Sequence, residues 1–129
     1  MTGIAGARGD RARRGRTAYL AGAAAEDQVA RHYARSGHSV AARRWRGRGG
    51  EIDVVLRDGT RTVFVEVKRA ETHAIAAERL GARQVARLFD CAQEYMGTLP
   101  DGLLSEVRFD VALVDATGRI EVIENALAA

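Results

Sequence analysis

An α/β domain, with a mixed sheet set between helices, is the architecture this sequence predicts, and three observations predict it. Residues 51–68 read as two strands whose apolar and polar residues alternate on either side of an Asp58-Gly59 turn. Apolar residues recur at helical spacing over residues 17–36 and again over 82–96. Two more strand-like runs, VRFDVALVD and RIEVIEN, follow the second helix and are joined by a turn around Thr117-Gly118. With a weaker strand at 39–46, the order is αβββαββ. In 129 residues it makes one domain, over residues 17–129.

Each element has its own signals. In TAYLAGAAAEDQVARHYARS the stripe Gly22, Glu26, Val29, Ala30 and Tyr33 lies on one helix face, and Gly37 is the stop. Glu26 therefore sits on or beside a face that reads as buried. Residues 39–46 carry Arg43, Arg44, Trp45 and Arg46, and Gly47, Gly49 and Gly50 after them allow a sharp turn or a close backbone approach. Ile52, Val54 and Leu56 alternate with Glu51, Asp53 and Val55, and Val63, Val65 and Val67 alternate with Phe64, Glu66 and Lys68. The late helix shows Val85, Phe89, Ala92 and Met96 as its apolar stripe and ends at Gly97 and Pro100.

Composition narrows the class of protein. Hydrophobic residues make up 47% and charged residues 29%, the balance of a globular domain. One cysteine, Cys91, excludes an internal disulfide, and no apolar run approaches the roughly 20 residues that span a bilayer. A soluble cytoplasmic protein without a membrane partner is expected. The net charge is only +3, but Arg8, Arg11, Arg13, Arg14 and Arg16 crowd residues 1–16, which read as a flexible basic tail. That tail is either an electrostatic arm for phosphates or a solvated terminus.

All but one of the 20 basic Lys and Arg residues are arginine; Lys68 is the exception. Lysine offers a compact charge whose pKa can be lowered, whereas a guanidinium stays protonated. Hairpin register decides what Lys68 meets. A two-residue Asp58-Gly59 turn pairs Arg57 with Thr60 and sets Glu51 opposite Glu66, with Asp53 diagonal to it. A four-residue loop sets Asp53 directly opposite Glu66, and a three-residue loop would throw Asp53 onto the other face and split the valine stripe. Apposed carboxylates repel across a sheet. Lys68 offsets part of that repulsion, and a divalent cation with hard oxygen ligands, Mg²⁺ or Mn²⁺, offsets more. The alternative is a solvent-facing strand pair with ordinary alternating charges.

Asp53, twelve intervening residues and then Glu66-Val67-Lys68 resemble the Asp…Glu-x-Lys signature of the PD-(D/E)XK nuclease superfamily. GEIDVV, FVEVK, RFDVALV and IENA, in that order, resemble more narrowly the YraN-like family, which is similar in fold to Holliday junction resolvases. The resemblance covers roughly residues 17–126. It implies a restriction-endonuclease-like three-layer fold and a metal-dependent endonuclease for branched or structured DNA. It implies metal on Asp53 and Glu66 with Glu26 completing the acidic set, Lys68 near the attacking water, and Glu51 at the metal's water shell. A homodimer is implied too, since paired incisions need two sites. Where this pattern often has lysine the chain has Gln84, in a supporting place, with Arg83 or Arg87 as substitute phosphate contacts. Ile52 replaces the proline before the aspartate, and Ala70 follows Arg69 where arginine is usual.

Arg43, Arg44, Arg46, Arg48 and Arg69 are the expected nucleic-acid contacts. The rival reading is a non-catalytic nucleic-acid-binding module with the same fold. His32, His38 and His73 lack metal-ligand spacing, Cys91 reads as packing, Trp45 as a packed strand aromatic and Asp110 as a structural or supporting acid.

Overall fold

In a computed structural model, residue 13 and residues 21–127 are described. Apart from Arg13, which is helical and exposed, the arginine-rich tail lies outside the described residues, as do residues 17–20. The first helix, α1, is described over residues 21–34 and gives way to a turn that ends at Gly37. Strands β1 (Ser39–Arg46), β2 (Glu51–Asp58) and β3 (Arg61–Arg69) follow. Helices α2 (His73–Glu78) and α3 (Ala82–Met96) and a short 3₁₀ turn at Gly102–Leu104 lead to β4 (Val107–Val114) and β5 (Ile120–Ile123).

The five strands form one sheet in chain order. Neighbours run antiparallel except β3 and β4, which are parallel and joined through the helices. A parallel pair needs such a crossover, and it covers one face of the sheet. On the other face α1 places Ala25, Val29 and Tyr33 against Val54, Leu56, Val63, Val65, Ala112 and Val114. Across the sheet, Leu88, Cys91, Ala92, Tyr95 and Met96 of α3 pack on Ile52, Val55 and Phe64. These are three layers, helix on sheet on helices, in the restriction-endonuclease-like arrangement that the family resemblance implies. Each fully buried apolar side chain contributes about 1.5–3 kcal/mol, so β2 and β3, apolar on both faces, anchor the domain. None of the described helices is long and apolar enough to cross a membrane.

The fold departs from the sequence reading in four places. Helix α2 was not expected: Thr72 Oγ1 caps it by accepting from Ile75 N at 3.2 Å, and Ala76 packs on Val111 and Leu113. Six residues are too few for a clear periodic signal. In α3 the buried stripe runs Leu88, Cys91, Ala92, Tyr95 and Met96; it keeps Ala92 and Met96 of the expected stripe, while Val85 and Phe89 are only half-buried. Phe89 turns to the side, edge-on to Phe109 at 4.7 Å. The last strands are shorter than expected: β4 stops at Val114 and β5 starts at Ile120 because Asp115 collects Thr117 N, Thr117 Oγ1 and Arg119 N into a tight turn, and β5 ends at Ile123. Finally, Ile52 leaves the Val54–Leu56 stripe and packs on the α3 side, so β2 turns over at Asp53.

The hairpin closes at Gly59-Thr60, with Asp58 opposite Arg61 and Val54 opposite Val65. Gly59 takes the left-handed conformation (φ 63°) that the turn needs. This is the register that carries Asp53 opposite Glu66. It comes from a turn one residue later than Asp58-Gly59, so a two-residue turn gives the alignment assigned on sequence to a four-residue loop.

One polar network ties the layers together. Asp110 on β4, with no exposed surface, accepts from Tyr33 Oη at 2.7 Å, from Arg108 Nε and Nη2 at 2.8 Å each, and from Asn125 N at 2.9 Å. Burial, and then this bond, hold the Tyr33 hydroxyl protonated well above its ordinary range. Removing the acid strands four donor groups on three residues. Asp110→Ala should cost about 3–5 kcal/mol and Tyr33→Phe about 1 kcal/mol, both read by urea unfolding; equal losses for the two variants would contradict this account.

Candidate functional site

The site forms where the sheet stops being regular. Arg44 lies between the pairs Arg43–Val54 and Trp45–Ile52, opposite Asp53, and Glu66 follows the last β2–β3 pair, Val54–Val65. Positions 44, 53 and 66 thus form one row across three strands. At Asp53 the strand turns over, and its Oδ2 accepts from Val67 N at 2.9 Å, where a ladder carbonyl would otherwise serve. The row ends at the parallel strand, where Glu66 pairs with Val111.

Glu66 is 5% exposed and faces α3. Gln84 reaches it from the first turn of that helix, donating through Nε2 to Glu66 Oε1 at 2.6 Å. The same amide accepts from Lys68 Nζ at 2.7 Å through its oxygen, and Lys68 Nζ lies 3.4 Å from Glu66 Oε1. Only one orientation of the Gln84 amide serves both partners, the oxygen toward the ammonium and the nitrogen toward the carboxyl. Gln84 is thereby the residue that fixes Lys68 beside the acids. Gly50, Glu51, Asp53, Glu66, Gln84 and Arg87, with Leu88, line a cavity of about 220 Å³.

Both carboxyls are held well above the usual carboxylate range. Burial pushes Glu66 up to about 8, the negative charge of Asp53 adds to this, and Lys68 opposes it. Burial pushes Asp53 up to about 6, the Val67 amide pulls it down and the charge of Glu26 pushes it up again. A hydrogen bond between the two carboxyls favours the proton on Glu66. Two acids side by side share a proton for the reason that two like charges cannot both be accommodated in a low-dielectric site.

Glu26, the third acid expected here, has another partner. Its carboxylate, 4% exposed, accepts from Arg44 Nε at 2.6 and 2.9 Å through its two oxygens. Arg44 reaches it from a left-handed backbone, φ 48°, which is uncommon for a residue with a side chain and costs about 1–2 kcal/mol. Among the described residues no three His, Cys, Asp or Glu side chains converge as a metal-binding group. The acids gathered at the cavity are Asp53 and Glu66, with Glu51 at its edge; Glu26 influences Asp53 by charge while bound to Arg44.

The arginines expected to contact nucleic acid are dispersed. Arg43 pairs with Asp27 on α1 and donates to Ala23 O at 3.3 Å. Arg44 turns inward to Glu26, the reverse of a solvent-facing phosphate contact. Arg69 follows Lys68 at the end of β3 but lines a different cavity, with Asp115 and α1 residues. Arg46, 3.3 Å from Glu51, and Arg48 flank the cavity mouth. Arg87 joins them from α3, one turn beyond Gln84. Spacing along the helix could have paired Arg87 with Gln84, but nothing in the sequence signals the Arg44–Glu26 contact, which joins a helix to a strand. Cys91 packs in the core with its thiol toward Gly50 O, and Trp45 sits edge-on to Tyr95 at 5.3 Å.

A family model, the uncharacterised protein family UPF0102, matches residues 25–114, the span that holds Glu26, Asp53, Glu66, Lys68 and Gln84. The chain belongs to this family. UPF0102, the YraN-like group, includes a Cereibacter sphaeroides protein 55% identical over 89% of this chain and 98% of its own length. A Ruegeria pomeroyi member is 56% identical over 89% of this chain and 94% of its own, and a Dinoroseobacter shibae member is 45% identical over 87% and 84%. These names state a family rather than a reaction, so the chemistry rests on the UPF0102 site itself.

Two outcomes test this geometry. Arg44→Ala leaves Glu26 buried without its partner and should cost about 3 kcal/mol in urea unfolding. Arg44→Gly should cost about 1 kcal/mol less than Arg44→Ala, since glycine adopts the left-handed backbone freely; a glycine variant no better than alanine would remove the strain from the account. The carboxyl pair also sets a pH slope. Because both folded pKa values exceed the ordinary ones, the metal-free folded state binds more protons between about pH 4 and 8. The pair's contribution to stability is therefore greatest below that window and declines as pH rises through it. In EDTA, Glu66→Gln should flatten the decline, measured as urea midpoint against pH.

Proposed function

We propose that this protein is a metal-dependent endonuclease that hydrolyses phosphodiester bonds, with DNA of branched or structured form as its substrate. The observation that carries the reading is the Asp53–Glu66 pair, buried and mutually repelled, with the chain's one lysine held beside it by Gln84. Such a pair destabilises the fold unless its charge is compensated, and two hard oxygen donors facing one cavity suit Mg²⁺ or Mn²⁺. Asp53 and Glu66 are the residues that would hold the ion, while Glu26 remains with Arg44. A bound ion there would stabilise charge on a phosphate oxygen and lower the pKa of water.

The chain's own groups account for the rest. Lys68, 16% exposed along its side chain, holds its ammonium 3.4 Å from Glu66 Oε1 and stabilises the negative charge that grows on the phosphate as water adds and the ester P–O bond breaks. Gln84 keeps the ammonium aimed by occupying one of its three donors. Glu51, at the cavity edge, is placed where it would hydrogen-bond water bound to such an ion. Leu88 and the apolar packing of α3 close the floor and lower the local dielectric, which strengthens each of these interactions.

Wild type and Lys68→Ala, both shown to be folded, should be compared on labelled four-way junction, flap, single-stranded and linear duplex DNA with Mg²⁺, Mn²⁺ or EDTA. Metal-dependent cutting is expected, with Lys68→Ala slower by about 10²–10³-fold and Asp53→Asn and Glu66→Gln inactive. Gln84→Ala should slow cutting less than Lys68→Ala does, because the ammonium is loosened rather than removed. Absence of cutting by wild type, with equal salt-sensitive binding by wild type and Lys68→Ala, would replace the enzyme with a nucleic-acid-binding module of the same fold.

A further inference from the structure

Beside the carboxyl cavity lies a second, larger one of about 470 Å³, formed by the loop from Gly47 to Gly50 with Arg46, Arg48, Glu51 and Arg87. The two share Gly50, Glu51 and Arg87, so they are neighbouring depressions, the acids lining one and guanidinium groups the other. Two of the acids near the larger cavity, Glu51 and Glu94, are already engaged. Glu51 faces Arg46 at 3.3 Å, and Glu94 accepts from Arg48 N at 2.7 Å. Arg48 and Arg87 are exposed, and among the described residues their guanidinium groups have no carboxylate partner.

The loop is held in place rather than left to fluctuate. Gly47 N donates to Gly50 O at 2.8 Å, and the Glu94 carboxylate pins the next amide. A Cβ on Gly47 would come within 2.0 Å of Glu94 Oε2, and one on Gly49 within 3.2 Å of Asp90 Cβ. Glycine at both positions lets the loop lie flat on α3, which fixes Arg48 across the groove from Arg87. Ordering two guanidinium groups before a ligand arrives removes part of the entropy that binding would otherwise have to overcome.

We infer that this groove is a subsite for the backbone phosphate next to the one positioned at Asp53, Glu66 and Lys68, with Arg48 and Arg87 as its ligands. The inference rests on the nucleic-acid reading above and adds where the strand runs: out of the carboxyl cavity, past Arg87 and under the glycine loop. A guanidinium presents paired donors that match a phosphate's oxygens. A polynucleotide strand also carries a charge about every 3.4 Å of duplex axis, so a phosphodiester seated at the acids brings a neighbour to the groove. Arg87, shared by both cavities, screens the substrate from the acids on the floor. Arg46 stays with Glu51 and is not needed for the contact.

The test is binding of a labelled oligonucleotide by fluorescence anisotropy in EDTA, over a series of KCl concentrations. The double variant Arg48→Ala/Arg87→Ala should lower the slope of log affinity against log salt by about 0.7–0.9, the value for one phosphate contact, and weaken binding about tenfold. The charge-matched control is Arg31→Ala/Arg35→Ala, on a separate cavity of about 500 Å³ along α1, and it should leave the slope unchanged. Equal slopes for wild type and the Arg48/Arg87 variant, equal losses in both variants, or no binding by wild type would each overturn the subsite. Cutting assays separate the two proposals. A variant that cuts with the wild-type KM removes the subsite and leaves the nuclease, whereas a reduced salt slope in a protein that cuts nothing keeps the groove and removes the nuclease.

Discussion

Two carboxyl groups placed side by side on neighbouring strands set the terms for everything around them. Asp53 and Glu66 both lose hydration, and the charge of Asp53 bears on Glu66 while that of Glu26 bears on Asp53, so each is driven toward its protonated form. A regular antiparallel ladder would expose that conflict without relieving it. Instead the sheet yields along a single row. Arg44 adopts a left-handed backbone, β2 turns over between Ile52 and Val54, and the β2–β3 ladder stops at Val54–Val65. The Val67 amide released by that stop is taken by Asp53, so the irregularity leaves this donor satisfied.

The surrounding layers then divide the charges between them. Helix α1 keeps Glu26 close enough to influence Asp53 but ties it to Arg44, and α3 supplies Gln84 as the link between Glu66 and Lys68. Each helix therefore contributes one polar residue through an otherwise apolar contact. That arrangement depends on the hydrophobic packing on both faces of β2 and β3, which holds the helices in place. It also explains why the strained backbone at Arg44 persists: the ion pair with Glu26 and the pairs on either side of Arg44 over-determine it.

Facing α1, the Asp110 network performs a purely structural task. It binds α1 through Tyr33 and the segment after β5 through Asn125, from a position on β4 paired with Val65, one step along the ladder from Glu66. Its acid meets Arg108 with paired bonds, so its charge is compensated internally. Asp53 and Glu66 have no arginine among their described bonds, and this contrast separates the acid that holds the fold from the acids that face a cavity.

The sequence by itself determined the architecture, the five strands and the identity of the acids and the lysine, because these follow from local periodicity and from residue type. Alternation over 51–68 sufficed to place Glu66 and Lys68 on one face, and the need to keep the valine stripe together sufficed to bring Asp53 near them. It did not determine α2, whose six residues are too few to show a period, or the face of α3, where two neighbouring stripes of similar hydrophobicity compete. Only the tertiary structure decided the register, through a turn one residue later than the Asp-Gly signal suggested. Only it gave Glu26 to Arg44 and set Arg87 beside Arg48, since these contacts join elements distant in the chain. Such pairings depend on how the layers pack, which no local pattern encodes.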